Sequence, residues 1–191
     1  LDLRVFDRLT PDERAEAERL LLERLQGGGD SRAAVGLGVL KSPAAVEPLR
    51  RAIAQQPGQG AMASAAYAEA LWRINRDPQA IEAVATLAAD PRVHESSRVD
   101  AVVALGGMPS PQAAQAMETL LGSDAAYLVR YHAFKGLLKL HGYSAKEADD
   151  LTGALAPHLA GAHVRPEARE TVRARLAELL AGRALAAEGS V

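Results

Sequence analysis

The chain contains no cysteine. Disulfides, thiolate metal centres and cysteine nucleophiles are therefore excluded, although the absence does not fix a compartment. Aromatic residues are scarce, with one Trp, four Tyr and two Phe among 191 residues. A basic excess is missing too: Lys and Arg number 22 against 24 Asp and Glu, for a formal charge of −2. Duplex-binding domains draw most of their affinity from phosphate contacts, so this balance disfavours nucleic acid. No apolar run approaches the ~20 residues needed to cross a bilayer. The chain is accordingly read as cytoplasmic with no membrane partner. It begins at Leu1 rather than Met, so a removed or upstream segment stays open.

What is present is a large apolar fraction, 48%, made mostly of Ala, Leu and Val. Small side chains let helix axes approach closely, and Ala has the best helix propensity. Such a composition suits packed helices better than a sandwich or a deep ligand cavity. Leu37, Leu71, Leu105 and Leu137 recur at intervals of ~34 residues, each in a helical segment followed by a polar, Gly or Pro turn.

Turn chemistry places the helices. Thr10, Pro11 and Glu13 form a capping box at the first helix start, and Leu20, Leu21 and Leu25 make its expected buried side. Leu1 to Leu9 read as an irregular arm, and Gly27-Gly28-Gly29 ends the first helix. Ser42-Pro43, Asp77-Pro78 and Ser110-Pro111 each offer an N-cap followed by Pro at the first helical position. Ser144 and Glu147 repeat the capping box, and Pro157 is expected to end or kink the helix before it. A final helix from about Pro166 to Leu180, with Val172, Leu176 and Leu179 as its apolar stripe, reads as a C-terminal cap. The expected architecture is all-α, an α-solenoid of about four stacked antiparallel helix pairs in a single domain. Residues 1–29 form the arm and N-terminal cap, 30–163 the repeats, and 164–191 the C-terminal cap and a fraying tail.

Two motifs carry a family resemblance. Turns of the form Ser42-Pro43-Ala44-Ala45-Val46-Glu47-Pro48-Leu49 follow helices of the Arg-x-x-Ala-x-x-Ala-Leu-Gly form, as in Arg98 to Gly106. Together they resemble HEAT repeats of the short bacterial, PBS-lyase-like type over roughly residues 30–180. The resemblance implies stacked helix pairs whose second helices line a concave face. It implies no single activity, since that repeat class includes scaffolds, inhibitors and a few enzyme subunits.

Aligning the second helices on Leu49, Val84, Met117 and Leu151 selects the residues two before each, Glu47, Glu82, Gln115 and Asp149. Two residues turn a helix by about 200°, so this set should face away from the core. Three of its four members are acidic, which suits a partner protein with a basic surface; an ordinary solvated helix face is the alternative. Arg51, beside Arg50, makes the acidic end less uniform. A second candidate surface is Tyr127 and Tyr131, with Phe134 on the same face, beside Arg130 and His132. Against it stands a core role for Tyr127 and Phe134. Trp72, at the family's common Gly position, is expected to leave its ring exposed near the turn. Arg98 and Arg130, with Arg32 near the same repeat position, are expected to pair with an Asp such as Asp124 or with turn carbonyls of a neighbouring repeat.

The five histidines, His94, His132, His141, His158 and His163, include no i, i+4 metal pair, and no Gly-x-Ser-x-Gly elbow is present. Gly27-Gly28-Gly29 lacks the following Lys of a phosphate loop. No catalytic residue, metal or cofactor is called for. The HEAT-like DNA glycosylases resemble this chain in repeat type, but their basic, aromatic-rich cleft does not fit one Trp and an acid-leaning stripe. A phycobilin-lyase-like enzyme subunit has no distinctive support. The expected function is a non-catalytic protein-binding scaffold or adaptor, with a bacterial immunity protein neutralising a toxin as the alternative. Oligomeric state and partner identity are not encoded legibly.

Overall fold

In a computed structural model of the chain, residues 3–28, 30–55, 61–123, 126–161 and 165–185 are described. The helices are α1 (Pro11–Gly28), α2 (Ser31–Leu40), α3 (Val46–Gln55), α4 (Ala61–Asn75), α5 (Pro78–Ala89), α6 (Glu95–Leu105), α7 (Pro111–Ser123), α8 (Tyr127–Leu140), α9 (Ala145–Ala154), α10 (Ala156–Gly161) and α11 (Pro166–Leu180). No strand occurs among the described residues. The arm is not irregular: Leu3–Arg8 is a 3-10 helix.

The helix starts follow the side-chain caps. Thr10 and Glu13 close their box, with the Thr10 backbone N–H donating to the Glu13 carboxylate at 2.8 Å. Asp30 caps α2, Asp77 caps α5, Ser110 caps α7, and Ser144 with Glu147 caps α9. The start of α6 falls two residues before Ser97, where His94 Nδ1 accepts from the Ser96 N–H. Pro157 has the expected effect, since α9 stops at Ala154 and a short new helix, α10, carries the proline in its first turn.

Internal contacts divide the chain into two compact units, residues 1–84 and 85–191. In the first, α2 packs against α1 and α4, and α3 against α4. Leu37, Leu49, Tyr67, Ala68, Leu71 and Val84 are fully or almost fully buried there. The α2–α4 contact depends on Gly38, because a Cβ at that position would lie 2.9 Å from Ala70 Cα. Polar contacts tie the turns to the helices. Arg14 donates to the Leu40 carbonyl at 2.8 Å, and the Ser42 hydroxyl donates to Glu18. Asp77 does two jobs: Oδ1 caps α5, while Oδ2 accepts from Arg50 Nε at 2.9 Å and Nη2 at 2.5 Å. Of the expected α1 stripe, Leu25 is buried, Leu21 is half-buried against Gly36, and Leu20 is 46% exposed. With α2 as its main helical neighbour, α1 covers only a narrow stripe.

In the second unit α8 is the hub, packed against α6, α7, α9, α10 and α11. Val129, Ala133, Phe134, Leu137, Leu138 and Leu140 of α8 are completely buried. Arg98 and Arg130 are buried too, and they bond to carbonyls at helix ends. Arg98 Nε donates to Ala88 O at 2.8 Å, and Arg130 donates to Leu159 O at 2.9 and 2.7 Å and to Ala160 O at 3.2 Å. The last turn of a helix leaves carbonyls without intrahelical partners, and a guanidinium fork satisfies several together. The expected pairing with carbonyls is therefore observed; Asp124 lies outside the described residues, and Arg32 is exposed rather than buried. Burial pushes the Arg130 pKa down, and the neighbouring positive charge of Arg169 adds to that.

Candidate functional site

The four stripe residues are all exposed, on α3, α5, α7 and α9. In the first unit, Glu47 on α3 and Glu82 on α5 are exposed, above buried Leu49 and Val84. In the second, Gln115 on α7 is exposed above buried Met117. Asp149 on α9 is exposed as well, but its helix does not keep the expected register. Leu151 is only half-buried, and the buried pair is Ala148 and Thr152, whose hydroxyl donates to the Ala148 carbonyl at 2.5 Å. The next buried apolar residue along the chain is Leu159 of α10.

Two acidic residues of the stripe are engaged. Glu47 pairs with Arg50 at 2.6 Å, and Asp149 pairs with Lys135 of α8. Arg50 thus bridges an exposed carboxylate, Glu47, and a buried one, Asp77. The hydrogen bonds that Arg50 donates to Asp77, and then to Glu47, hold its pKa above the usual guanidinium range. The acidic surface is consequently weaker in field than the sequence suggests, since exposed pairs in water screen one another.

Arg51 and Gln115 each line a groove. In the first unit a shallow groove of about 300 Å³ is bounded by Leu25 and Gln26 of α1 and by Pro48, Arg51 and Ala52 of α3. In the second unit a larger one, about 520 Å³, runs between α7 and α11. Its α7 wall carries Gln115, Glu118, Thr119, Leu121 and Gly122, and its α11 wall carries Arg169, Val172, Arg173, Leu176, Ala177 and Leu180. The α11 wall is pinned at its far end, where the Tyr143 hydroxyl donates to the Leu179 carbonyl at 2.7 Å and Arg183 stacks 3.9 Å over the Tyr143 ring. The role of α11 as a groove wall was missed in the sequence, although its apolar and Arg positions recur at i, i+3 and i+4.

Tyr127 and Tyr131 are half-buried, with ring centroids 5.9 Å apart, and Phe134 is completely buried. The core role therefore holds for Phe134, while the two tyrosines keep an accessible edge. His132, half-buried beside them, has its pKa pushed down by burial and by Lys135, against the opposing pull of Asp149 and Asp100.

Trp72 corrects an expectation. Its ring is 5% exposed, because α4 is packed against both α2 and α3. Its indole N–H is buried without a hydrogen-bond partner, and the Arg76 guanidinium sits 5.3 Å from the ring centroid. Among the described residues no group of three or more His, Asp or Glu is placed to hold a metal ion, and no helix is long and apolar enough to cross a membrane. No family model, curated protein or solved structure matches the chain.

Proposed function

We propose that this chain is a HEAT-like α-solenoid acting as a non-catalytic protein–protein interaction module, which binds a partner protein on the surface of its second helices. One observation supports this reading above the others. The second helices α3, α5 and α7 bury Leu49, Val84 and Met117 and turn Glu47, Glu82 and Gln115 to solvent at the same helical offset. Repeated presentation of this kind serves a surface that reads another macromolecule rather than a single reacting centre. With Glu47 and Glu82 exposed, the partner of the first unit carries basic residues, and charge complementarity speeds the encounter. A toxin-neutralising inhibitor is the specific form of this reading that two exposed carboxylates favour.

The test is capture of the native partner on the immobilised protein, identified by mass spectrometry, followed by the double variant Glu47→Lys, Glu82→Lys. Recovery is expected to fall at least tenfold and the salt dependence of binding to flatten. Unchanged recovery with the charge-reversed variant would move the surface elsewhere.

A further inference from the structure

Glu47, Glu82, Gln115 and Asp149 share an outward position but not an electrostatic setting. Glu47 has Arg50 and Arg51 at i+3 and i+4 on α3. Arg50 Nη1 donates to its carboxylate at 2.6 Å, and Arg51 Nε donates to its backbone carbonyl at 3.4 Å. Arg50 is not free to withdraw, because its Nε and Nη2 are held by buried Asp77. Pulling the guanidinium away would leave that carboxylate buried and unmatched, a far larger penalty than the loss of an exposed pair. Asp149 is likewise met by Lys135, whose side chain is half-buried. Gln115 carries no charge.

Glu82 is the exception. It is the one ionisable side chain in Pro78–Ala89. Its neighbours on the same helix face, at i−4, i−3, i+3 and i+4, are Pro78, Gln79, Ala85 and Thr86, all neutral. Among the described residues no ion pair or hydrogen bond engages its carboxylate. Pro78, Gln79 and Thr86 are exposed and Ala85 is half-buried, so the ground around the carboxylate is open and made mostly of small side chains. A long basic side chain can lay its methylene stem along Pro78 on one side, or along Ala85 and the Thr86 methyl on the other, while its head group meets the carboxylate. A cation arriving at Glu47 or Asp149 is repelled by one already in place. At Glu82 it displaces nothing.

We infer that Glu82 is the specificity-determining residue of this surface: it takes a lysine or arginine side chain of the partner protein, whereas Glu47 and Asp149, already neutralised, face uncharged parts of that partner. The inference rests on the protein-binding reading above and concentrates its charge selection in one residue.

The experiment uses the full chain and two small spin probes of opposite charge, aminomethyl-PROXYL and carboxy-PROXYL, whose relaxation of nearby protons in NMR reports the local potential. The cationic-to-anionic ratio of relaxation enhancement is expected to be at least threefold at protons of Glu82 and Ala85, and less than twofold at those of Glu47 and Asp149. Glu82→Gln should bring the ratio near unity while leaving the thermal melt unchanged. The native partner recovered on the immobilised chain is then measured against the single variants Glu82→Gln, Glu47→Gln and Asp149→Asn. Glu82→Gln should lower its affinity at least fivefold and flatten the salt dependence, and each of the other two should change affinity less than twofold. A cationic ratio at Glu47 equal to that at Glu82, or a loss on Glu47→Gln as large as on Glu82→Gln, would overturn the inference. The double charge reversal separates the two proposals. If Glu47→Lys, Glu82→Lys releases the partner while Glu82→Gln does not, the module reading stands and Glu82 loses this role. If the double reversal leaves recovery unchanged, the surface itself is misplaced and both readings of it fall.

Discussion

The two units are both built of short helices but close their polar groups in opposite ways. In residues 1–84 the buried ion is an anion, Asp77, and its cation, Arg50, lies near the surface with a 40% exposed side chain. In residues 85–191 the buried ions are cations, Arg98 and Arg130, and their partners include backbone carbonyls at the ends of α5 and α10. A carboxylate buried at a helix start satisfies N–H groups; a guanidinium buried at a helix end satisfies carbonyls. Each choice matches the sign of the helix terminus it serves. The lesson is that the helix terminus that needs satisfying dictates the chemistry of a joint.

The sharpest break of this comparison is Arg130→Ala. It removes a fully buried fork and leaves the Leu159 and Ala160 carbonyls short of donors, so a loss of about 3 kcal/mol is expected in urea unfolding. Arg130→Lys should recover little, because a point charge cannot reproduce the two-nitrogen contact. A loss under about 1 kcal/mol would show that the carbonyls are satisfied by other means.

Asp77→Ala comes next, at about 2 kcal/mol, combining the lost cap with a lost charged hydrogen bond. Asp77→Asn keeps an oxygen for the Gln79 N–H and should lose about half as much. Equal losses for the two variants would mean that the Arg50 contact dominates and the cap contributes little.

A glycine pair tests packing in each unit. Gly38→Ala drives a Cβ to 2.9 Å from the Ala70 backbone, which cannot swing aside, so about 2 kcal/mol is expected to be lost. Gly136→Ala meets the Met117 sulfur at 2.5 Å, but the thioether end can move. Its expected loss is about 1 kcal/mol, partly offset by the helix propensity of Ala. The reverse order in thermal melts would contradict this account of the two contacts.

The smallest effect is a pH dependence confined to the second unit. The folded state holds the His132 pKa below its ordinary 6.5, chiefly through burial. As pH falls below 6.5 the unfolded chain takes up the proton first, so stability is fully present above that pH and declines beneath it. His132→Gln should flatten the profile between neutral pH and the mildly acidic range. An unchanged slope would assign the decline to carboxylates instead.

Much of the fold was legible because its signals are local. Thr10 with Glu13, Ser42 with Pro43, Asp77 with Pro78, and Ser144 with Glu147 each state where a helix begins, and the helices begin there or within a few residues. The boundary of α11 at Pro166 and Leu180 was readable for the same reason. Three features were not. Leu20 looks like its neighbour Leu21 in sequence, yet the narrow contact with α2 leaves it in water. On α9 the buried positions are Ala148 and Thr152 rather than Leu151, a rotation that its packing on α8 decides and that no local cap or turn signal marks. Trp72 sits where a glycine is common, and only the packing of α4 against two helices decides that its ring is covered. At the candidate surface, the outward direction of Glu47, Glu82 and Gln115 followed from a rotation of about 200°. The Arg50–Asp77 and Lys135–Asp149 pairs and the α7–α11 groove did not, because each joins residues distant in sequence.

The central claim is that a partner is read by the second helices. Hydrogen–deuterium exchange of the full chain, alone and saturated with its native partner, tests it most directly. The account predicts added protection in α3, α5 and α7, with α2, α4, α6 and α8 unchanged. Protection confined to α2, α4, α6 and α8, with no change in the second helices, would contradict it.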